Sequence, residues 1–275
     1  MNIDSYRREA AFIASASADM SSAIRLSLAT ARFHLGNFFK SSTSLKTEPF
    51  AVNVKIAGSV RPVSLRQDSG DLFIFYEVFA MESYRIEDDV IDPQSVRTII
   101  DCGANIGITA LYFAGRYPNA RIFSIEPDPS NFAVLKRNVA SEPRITPINA
   151  AVVGRNTGPV FLSQDRPAWG NSITQGADGV SGIEVPAITI DDLCAQHSID
   201  HIDLLKVDIE GAEEPMFAEP HFLPKVGYIV IELHGDYTMD RFERDVSSAG
   251  FVVKPPAPHG GVRAYVAYPQ GRNSQ

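Results

Sequence analysis

The sequence predicts an α/β protein built on a Rossmann-like, mostly parallel sheet with helices on both faces, preceded by an N-terminal helical and β-hairpin extension. Three observations carry that expectation. First, residues 97–127 read as a buried strand (Thr98, Ile99, Ile100), a turn from Asp101 to Gly107, a helix with apolar Ile108, Leu111, Tyr112 and Phe113, and a second strand, Arg121 to Ile125, that delivers Glu126. This is the βαβ half-unit that binds a nucleoside at the carboxyl ends of parallel strands. Second, two later apolar runs, Asp203 to Val207 and Tyr228 to Leu233, stop at Asp208-Ile209-Glu210-Gly211 and His234-Gly235-Asp236. Third, residues 50–66 alternate apolar and polar side chains, the period of a strand with one face in water.

Each element follows from its own pattern. Residues 1–40 are rich in Ala and Ser, with a broken helical stripe of Phe12, Ile13, Ile24, Leu28, Phe33, Leu35 and Phe38, which predicts one or two helices. Arg25, Arg32, His34 and Lys40 are interleaved, so the segment is a candidate for a membrane surface or a homodimer contact as well as for a helical cap over the domain. Residues 41–48 have linker composition. The extension and linker are therefore assigned to residues 1–48 and the main domain to residues 49–270. Val52, Val54 and Ile56, then Val63 and Leu65, form a hairpin that turns at Gly58-Ser59. Residues 71–84 form a helix with Leu72, Phe75, Val78 and Phe79 on one side and Asp71 in its N-cap region.

After the first two core strands, Pro127-Asp128-Pro129 turns the chain into a helix from Asn131 to Ala140, and Ile145 to Val153 is the third strand. Residues 154–188 interrupt the βαβ rhythm. Two strand-like runs, Pro159 to Leu162 and Ile183 to Ile188, flank a Gly-, Asn- and Ser-rich middle that holds Trp169 and Ser172. This predicts a β-hairpin insertion with a mobile tip, a candidate lid over a ligand. Asp191-Asp192-Leu193 opens a helix ending near His197, and Met216 and Phe217 mark the helix after the fourth strand. Residues 239–249 form a last helix. Phe251 to Lys254 and Arg263 to Tyr268 are the final strands, joined by a Pro/Gly turn, and the tail from Gly271 reads as disordered.

Composition narrows the function. An apolar share of 44% over 275 residues supports a real core. A net charge of −8 argues against nucleic-acid binding, which needs clustered Lys and Arg. Two cysteines, Cys102 and Cys194, suit a reducing compartment rather than a disulfide framework. There is no transmembrane apolar run and no signal-like N-terminal stretch, and the expected location is cytoplasmic.

The turn at 101–107 selects among nucleosides. A dinucleotide fingerprint has a second glycine where the backbone meets a pyrophosphate. Here that position is Asn105, and Asp101 sits two residues before Gly103. A carboxylate repels a diphosphate and attracts an ammonium group. S-adenosylmethionine has an amino-acid tail, no phosphate, and both ribose hydroxyls free. Asp101 can face the ammonium or order the turn, and the N-terminus of the following helix can face the tail carboxylate. Glu126, 25 residues after Asp101, can accept from the two ribose hydroxyls. The candidate cofactor residues are therefore Asp101, Gly103, Ala104, Asn105, Gly107 and Glu126, with Pro127 beside it and Ser172 in the candidate lid.

Several runs in order resemble the FkbM-type family of S-adenosylmethionine-dependent methyltransferases: Ile-Ile-Asp-Cys-Gly-Ala-Asn-Ile-Gly at 99–107, Ser-Ile-Glu-Pro-Asp-Pro-Ser-Asn-Phe at 124–132, Asp-Leu-Leu-Lys-Val-Asp-Ile-Glu-Gly-Ala-Glu at 203–213, and Ile-Glu-Leu-His at 231–234. Leu65-Arg66, Asp71 and Tyr84 resemble the segment that precedes the family's nucleotide fold. The likeness spans residues 60 to 240. It implies a class I methyltransferase fold in which one of the last strands runs antiparallel to the rest. It also implies that Tyr84 borders the cofactor cleft, and that Asn149, Ala150 and Ala151 pass the adenine. Family members resembling this chain mostly methylate hydroxyls of sugars, polyketides or other secondary metabolites, so a small-molecule or glycan acceptor is expected.

Strand ends one, two, four and five supply Asp101, Glu126, Asp208 with Glu210, and Glu232 with His234. Charges that follow buried strands are costly unless paired or used. Asp208, Glu210 and His234 are the expected transfer-site residues. His234 is the favoured base because an ordinary imidazole titrates near 6.5. Lys206 is expected to pair with Asp208 or Glu210. Alternatively, Asp208, Glu210 and His234 can hold a divalent cation, although their spacing in sequence is not diagnostic of a metal. N-methylation and a non-catalytic nucleoside-binding role are the rival functions.

Overall fold

The computed structural model describes residues 3–39, 49–67, 69–155, 158, 160–163, 173–175, 182–254 and 264–271. The linker at 41–48, the loop carrying Trp169 and Ser172, the turn with His259 and the tail beyond Gly271 lie outside the described residues. The chain divides into two compact units, residues 1–82 and residues 83–275.

The first unit holds α1 (Ile3–Ala16), α2 (Met20–Phe39), an antiparallel hairpin of β1 (Phe50–Ile56) and β2 (Ser59–Leu65), and α3 (Asp71–Phe79). The alternating pattern fixes the hairpin's register, with Val52 opposite Val63 and both buried. Asp19 ties α2 to the hairpin: its carboxylate accepts from the Ser22 N–H at 2.8 Å and from the Asn53 side-chain amide at 3.0 Å. Phe12 packs edge-on against Phe75 and Tyr76. Gly70, not Asp71, is the N-cap of α3, and the Asp71 carboxylate instead accepts from the Arg66 N–H, Nε and Nη2 at 2.8–2.9 Å. α3 is shorter than its apolar pattern predicts. The Met81 N–H turns back to the Tyr76 carbonyl past the C-cap Ala80, and Glu82 beyond it is left-handed.

The second unit is a seven-stranded sheet. In chain order its parts are β3 (Thr98–Cys102), α4 (Ile108–Arg116), β4 (Arg121–Ile125), α5 (Pro129–Val139) and β5 (Ile145–Ile148). The short strand β6 (Ala151–Val152) follows, then β7 (Val160–Ser163), β8 (Ile173–Gln175), β9 (Gly182–Val185) and β10 (Ala187–Ile188). The chain returns to the main sheet through α6 (Ile190–His197), β11 (Ile202–Val207), α7 (Glu213–Phe217), β12 (Val226–Ile231), α8 (Met239–Ser247), β13 (Phe251–Lys254) and β14 (Tyr265–Pro269). The strand order is β13-β14-β12-β11-β3-β4-β5. β14 runs antiparallel to both neighbours, and β3, β4, β5, β11 and β12 are parallel. This is the class I methyltransferase arrangement of a Rossmann-like sheet. All five residues of β3 are buried, as a central parallel strand with both faces covered requires.

Two expectations need correction. The third core strand does not run from Ile145 to Val153. It stops at Ile148 because the Asn149 side chain turns to donate to the Glu126 and Pro127 carbonyls at 2.8 and 3.1 Å, and β6 then pairs in parallel with β10. The insertion is a three-stranded antiparallel sheet in the order β8-β7-β9, so the middle read as a tip contributes a strand of its own. Among the described residues no helix is long and apolar enough to cross a membrane.

Candidate active site

Sheet order reverses between β3 and β11, and ligands of open α/β sheets bind in the crevice at such a point. Gly103 lies at that reversal. Its φ is +77°, and a Cβ there would stand 1.7 Å from the Asp208 carbonyl oxygen, so only glycine lets the ends of β3 and β11 meet. The Gly103 and Ala104 N–H groups donate to the Ile125 carbonyl at 3.0 and 2.9 Å, which fastens the turn to the end of β4. Asn105 is left-handed (φ +48°), a conformation its short polar side chain tolerates. Gly107 (φ +85°) then starts α4.

Glu126 is the hinge of this half of the crevice. Its Oε2 accepts from the Asn105 N–H at 2.8 Å, and its Oε1 accepts from the Asp128 N–H at 2.9 Å and the Asn131 amide at 3.3 Å. Burial pushes its pKa up to about 7 against the pull of those three donors. A carboxylate offers about four acceptor positions, so about one remains, on Oε2. The two ribose hydroxyls expected from the sequence do not both fit that remaining capacity.

Beneath the turn lies a buried chain of charge. Asp101 is 0% exposed and Lys206 is 1% exposed. Lys206 Nζ lies 3.3 Å from Asp101 Oδ1 and 3.6 Å from Asp208 Oδ2, and it donates to the Cys102 and Gly103 carbonyls at 3.2 and 2.7 Å. Burial opposes the lysine charge, but Asp101, Asp208 and Glu232 outweigh it and raise the pKa. Burial raises the Asp101 pKa, and Lys206 opposes that shift. The Asp101 charge is thus met inside the protein, and of the two roles read from sequence its burial supports ordering the turn. The Tyr84 hydroxyl lies 2.9 Å from both Asp208 Oδ2 and Glu232 Oε1. It faces these carboxylates, and its single proton serves one of them at a time. Burial, and then the neighbouring Asp208 carboxylate, raises the Glu232 pKa.

Asp208, Glu210 and His234 come together at the ends of β11 and β12. His234 Nε2 is 3.8 Å from Asp208 Oδ1 and 3.9 Å from Glu210 Oε2, and its Nδ1 is 2.8 Å from Glu213 Oε1. Glu213, fully buried, also accepts from the Ile209 and Gly211 N–H groups at 3.1 and 2.9 Å, and so holds the turn in which Glu210 is left-handed (φ +53°). The Glu213 hydrogen bond raises the His234 pKa to about 9 even though burial opposes the shift. The sequence favours His234 as base on an ordinary imidazole pKa; Glu213 beside the ring holds it above that value and favours the protonated form. Burial, then Asp208, raises Glu210 to about 7.

The structure therefore brings Tyr84, Asp208, Glu210 and His234 into one group, and Asp101, Gly103, Ala104, Asn105, Gly107 and Glu126 into the adjoining turn. The Pro127 carbonyl accepts from the Asn149 side-chain amide at the end of β5. Ala150 is buried in the core. Ser172 lies outside the described residues. Sequence reasoning assigned no role to Glu213. The available signal was an acid three residues after Glu210 that opens α7, where it can reach back to the turn.

The sheet order and this strand-end site define the class of protein. Residues 101–255 match the methyltransferase FkbM domain, more than half of the chain, and the chain belongs to that family. It is similar to methyltransferase sdnD of Sordaria araneosa, 30% identical over 173 residues that cover 51% of this chain and 65% of the relative. It is also similar to 2-O-methyltransferase NoeI of Sinorhizobium fredii, 30% identical over 135 residues covering 44% of this chain and 56% of the relative. A third relative, 31-O-demethyl-FK506 methyltransferase FkbM of Streptomyces tacrolimicus, is 26% identical over 199 residues, covering 59% of this chain and 74% of the relative. The chain spans less than two thirds of the length of the first two.

Proposed function

We propose that this chain transfers a methyl group from S-adenosylmethionine to a hydroxyl of a small-molecule acceptor, a sugar or glycan or a secondary metabolite. The observation that carries the reading is the division of the crevice at the switch point. On one side stands a phosphate-unfriendly turn closed by Glu126, and on the other an acid–histidine cluster. Gly103 to Gly107 cradle the donor, and Glu126 offers its remaining Oε2 lone pair to a ribose hydroxyl. Asp101 acts from below by holding Lys206 under the turn. Asp208, Glu210 and His234 line the acceptor side.

The reaction is an in-line displacement. The S–CH3 bond breaks with its electron pair staying on sulfur, the O–CH3 bond forms, and the hydroxyl proton leaves to the carboxylate side of the cluster or to water. The donor is already activated, so alignment supplies several kcal/mol of the effect. Two relatives, NoeI and FkbM, are both named for transfer to oxygen, which favours a hydroxyl acceptor. The test is to incubate the protein with methyl-labelled S-adenosylmethionine and a fractionated small-molecule and glycan extract. Label entering one fraction with wild type but not with Glu126→Ala is expected. No transfer to any fraction together with no binding of the donor would overturn the reading.

A further inference from the structure

We propose that Asp208, Glu210 and His234 form a divalent-cation site that takes a six-coordinate ion of the Mn²⁺ kind through Asp208 Oδ1, Glu210 Oε2 and His234 Nε2. The donor atoms of these three side chains lie within 4.8 Å of one another. The use of such an ion in methyl transfer rests on the function proposed above, but its binding does not.

Asp208 and His234 each divide into a held end and a free end. Asp208 Oδ2 accepts from Tyr84 at 2.9 Å and lies 3.6 Å from Lys206, while Oδ1 faces His234. His234 Nδ1 is held by Glu213 at 2.8 Å, while Nε2 faces both carboxylates at 3.8 and 3.9 Å. Those last two distances are too long for hydrogen bonds. Two oxygens and one nitrogen thus converge on one space, with Asp208 and His234 braced from behind. A buried carboxylate on the far nitrogen is the usual way a metal-ligating histidine is oriented, and the ion takes the place of the Nε2 proton.

Donor chemistry narrows the ion. An imidazole with two carboxylates suits Mn²⁺ or a similar transition ion better than Ca²⁺, which prefers all-oxygen shells. Charge favours it too: Asp101, Asp208 and Glu232 surround Lys206, and Glu210 and Glu213 flank His234. With bonds of about 2.1 Å, two ligands of one ion lie at most about 4.2 Å apart. Binding therefore draws the cluster in, and Glu210, 28% exposed on its side chain, has the freedom to move. Three protein ligands leave positions for water or for acceptor oxygens, whose protons the ion would make easier to lose to water.

The experiment is a titration of purified full-length protein with Mn²⁺, with no S-adenosylmethionine and no acceptor, following free Mn²⁺ by electron paramagnetic resonance. One saturable ion per chain is expected. Glu210→Gln and His234→Ala should each weaken binding at least tenfold, and Glu213→Gln by about tenfold to a hundredfold. Glu210 is partly exposed, so its variant tests the site without endangering the fold, and each variant's unfolding midpoint is recorded beside its affinity. No saturable binding to wild type, or equal binding to the Glu210 and His234 variants, overturns the proposal. If Mn²⁺ binds as expected but S-adenosylmethionine does not, the cation site stands and the methyl-donor reading falls.

Discussion

Glu126 concentrates the chemistry of the donor side in one residue. A carboxyl whose folded pKa is raised binds its proton more tightly in the native than in the unfolded chain. Its contribution to stability is full below the unfolded value near 4.5 and is lost as pH rises through about 7. A ribose hydroxyl donating to Oε2 prefers the ionised form, so the sign for binding is opposite: affinity is full above about 7 and falls as pH drops below it. S-adenosylmethionine should bind about tenfold more weakly at pH 6 than at pH 8, with a proton released on binding near pH 6.5. Calorimetry in two buffers of different ionisation enthalpy measures both, and a flat affinity across that range would remove Glu126 from the ribose. Glu126→Ala should weaken binding at least tenfold at pH 8. It deletes a charge-assisted hydrogen bond worth roughly 1.5–3 kcal/mol and also releases the Asn105 N–H that shapes the turn.

At the scale of elements, the β3–α4 turn is under steric as well as conformational control. Gly103→Ala should destabilise the second unit by about 2–4 kcal/mol, because the new Cβ meets the Asp208 backbone at 1.7 Å. Gly211→Ala, at φ +101° with nothing within 4 Å, faces backbone strain alone and should cost about 1 kcal/mol. Thermal unfolding of the two variants separates a close approach from a mere turn; equal losses would mean that the strand ends part easily. Elements with a strong period were legible in the sequence: the hairpin and the buried strands Thr98–Cys102 and Ile202–Val207. The Thr189 capping box that opens α6 lies two residues before the Asp191-Asp192-Leu193 start expected from the sequence. Where the outcome turned on a single side chain reaching across the fold, the period said nothing. Asn149 ends β5 by bonding to the 126–127 backbone, and Glu213 braces His234 from another strand-loop unit. Asp101 was legible as a strand-end acid, but its inward pairing with Lys206 was not. Alternate residues of a central strand face opposite layers, and both layers are buried here.

For the whole molecule, the sheet order puts the turn closed by Glu126 and the acid–histidine cluster on either side of one reversal, and in the function proposed above the donor bridges them. Asp101, one of the two residues that speak against a dinucleotide in the sequence, is fully buried against Lys206. What remains against a diphosphate is Asn105 in the place of a glycine, with its N–H already donated to Glu126 and so unable to serve a phosphate. The discrimination then belongs to the turn's hydrogen bonding, and it can be read as linkage between binding and folding. At a hundred times its dissociation constant a ligand adds about 2.7 kcal/mol to stability, which for a chain of this size is a rise of about 5–10 °C in the unfolding midpoint. S-adenosylmethionine should produce that rise in wild type, and at the same concentration a smaller one in Glu126→Ala. NAD should produce none in either. A rise with NAD would mean that the turn can release the Asn105 N–H to a phosphate, and the case for a methyl donor would then rest on family membership alone.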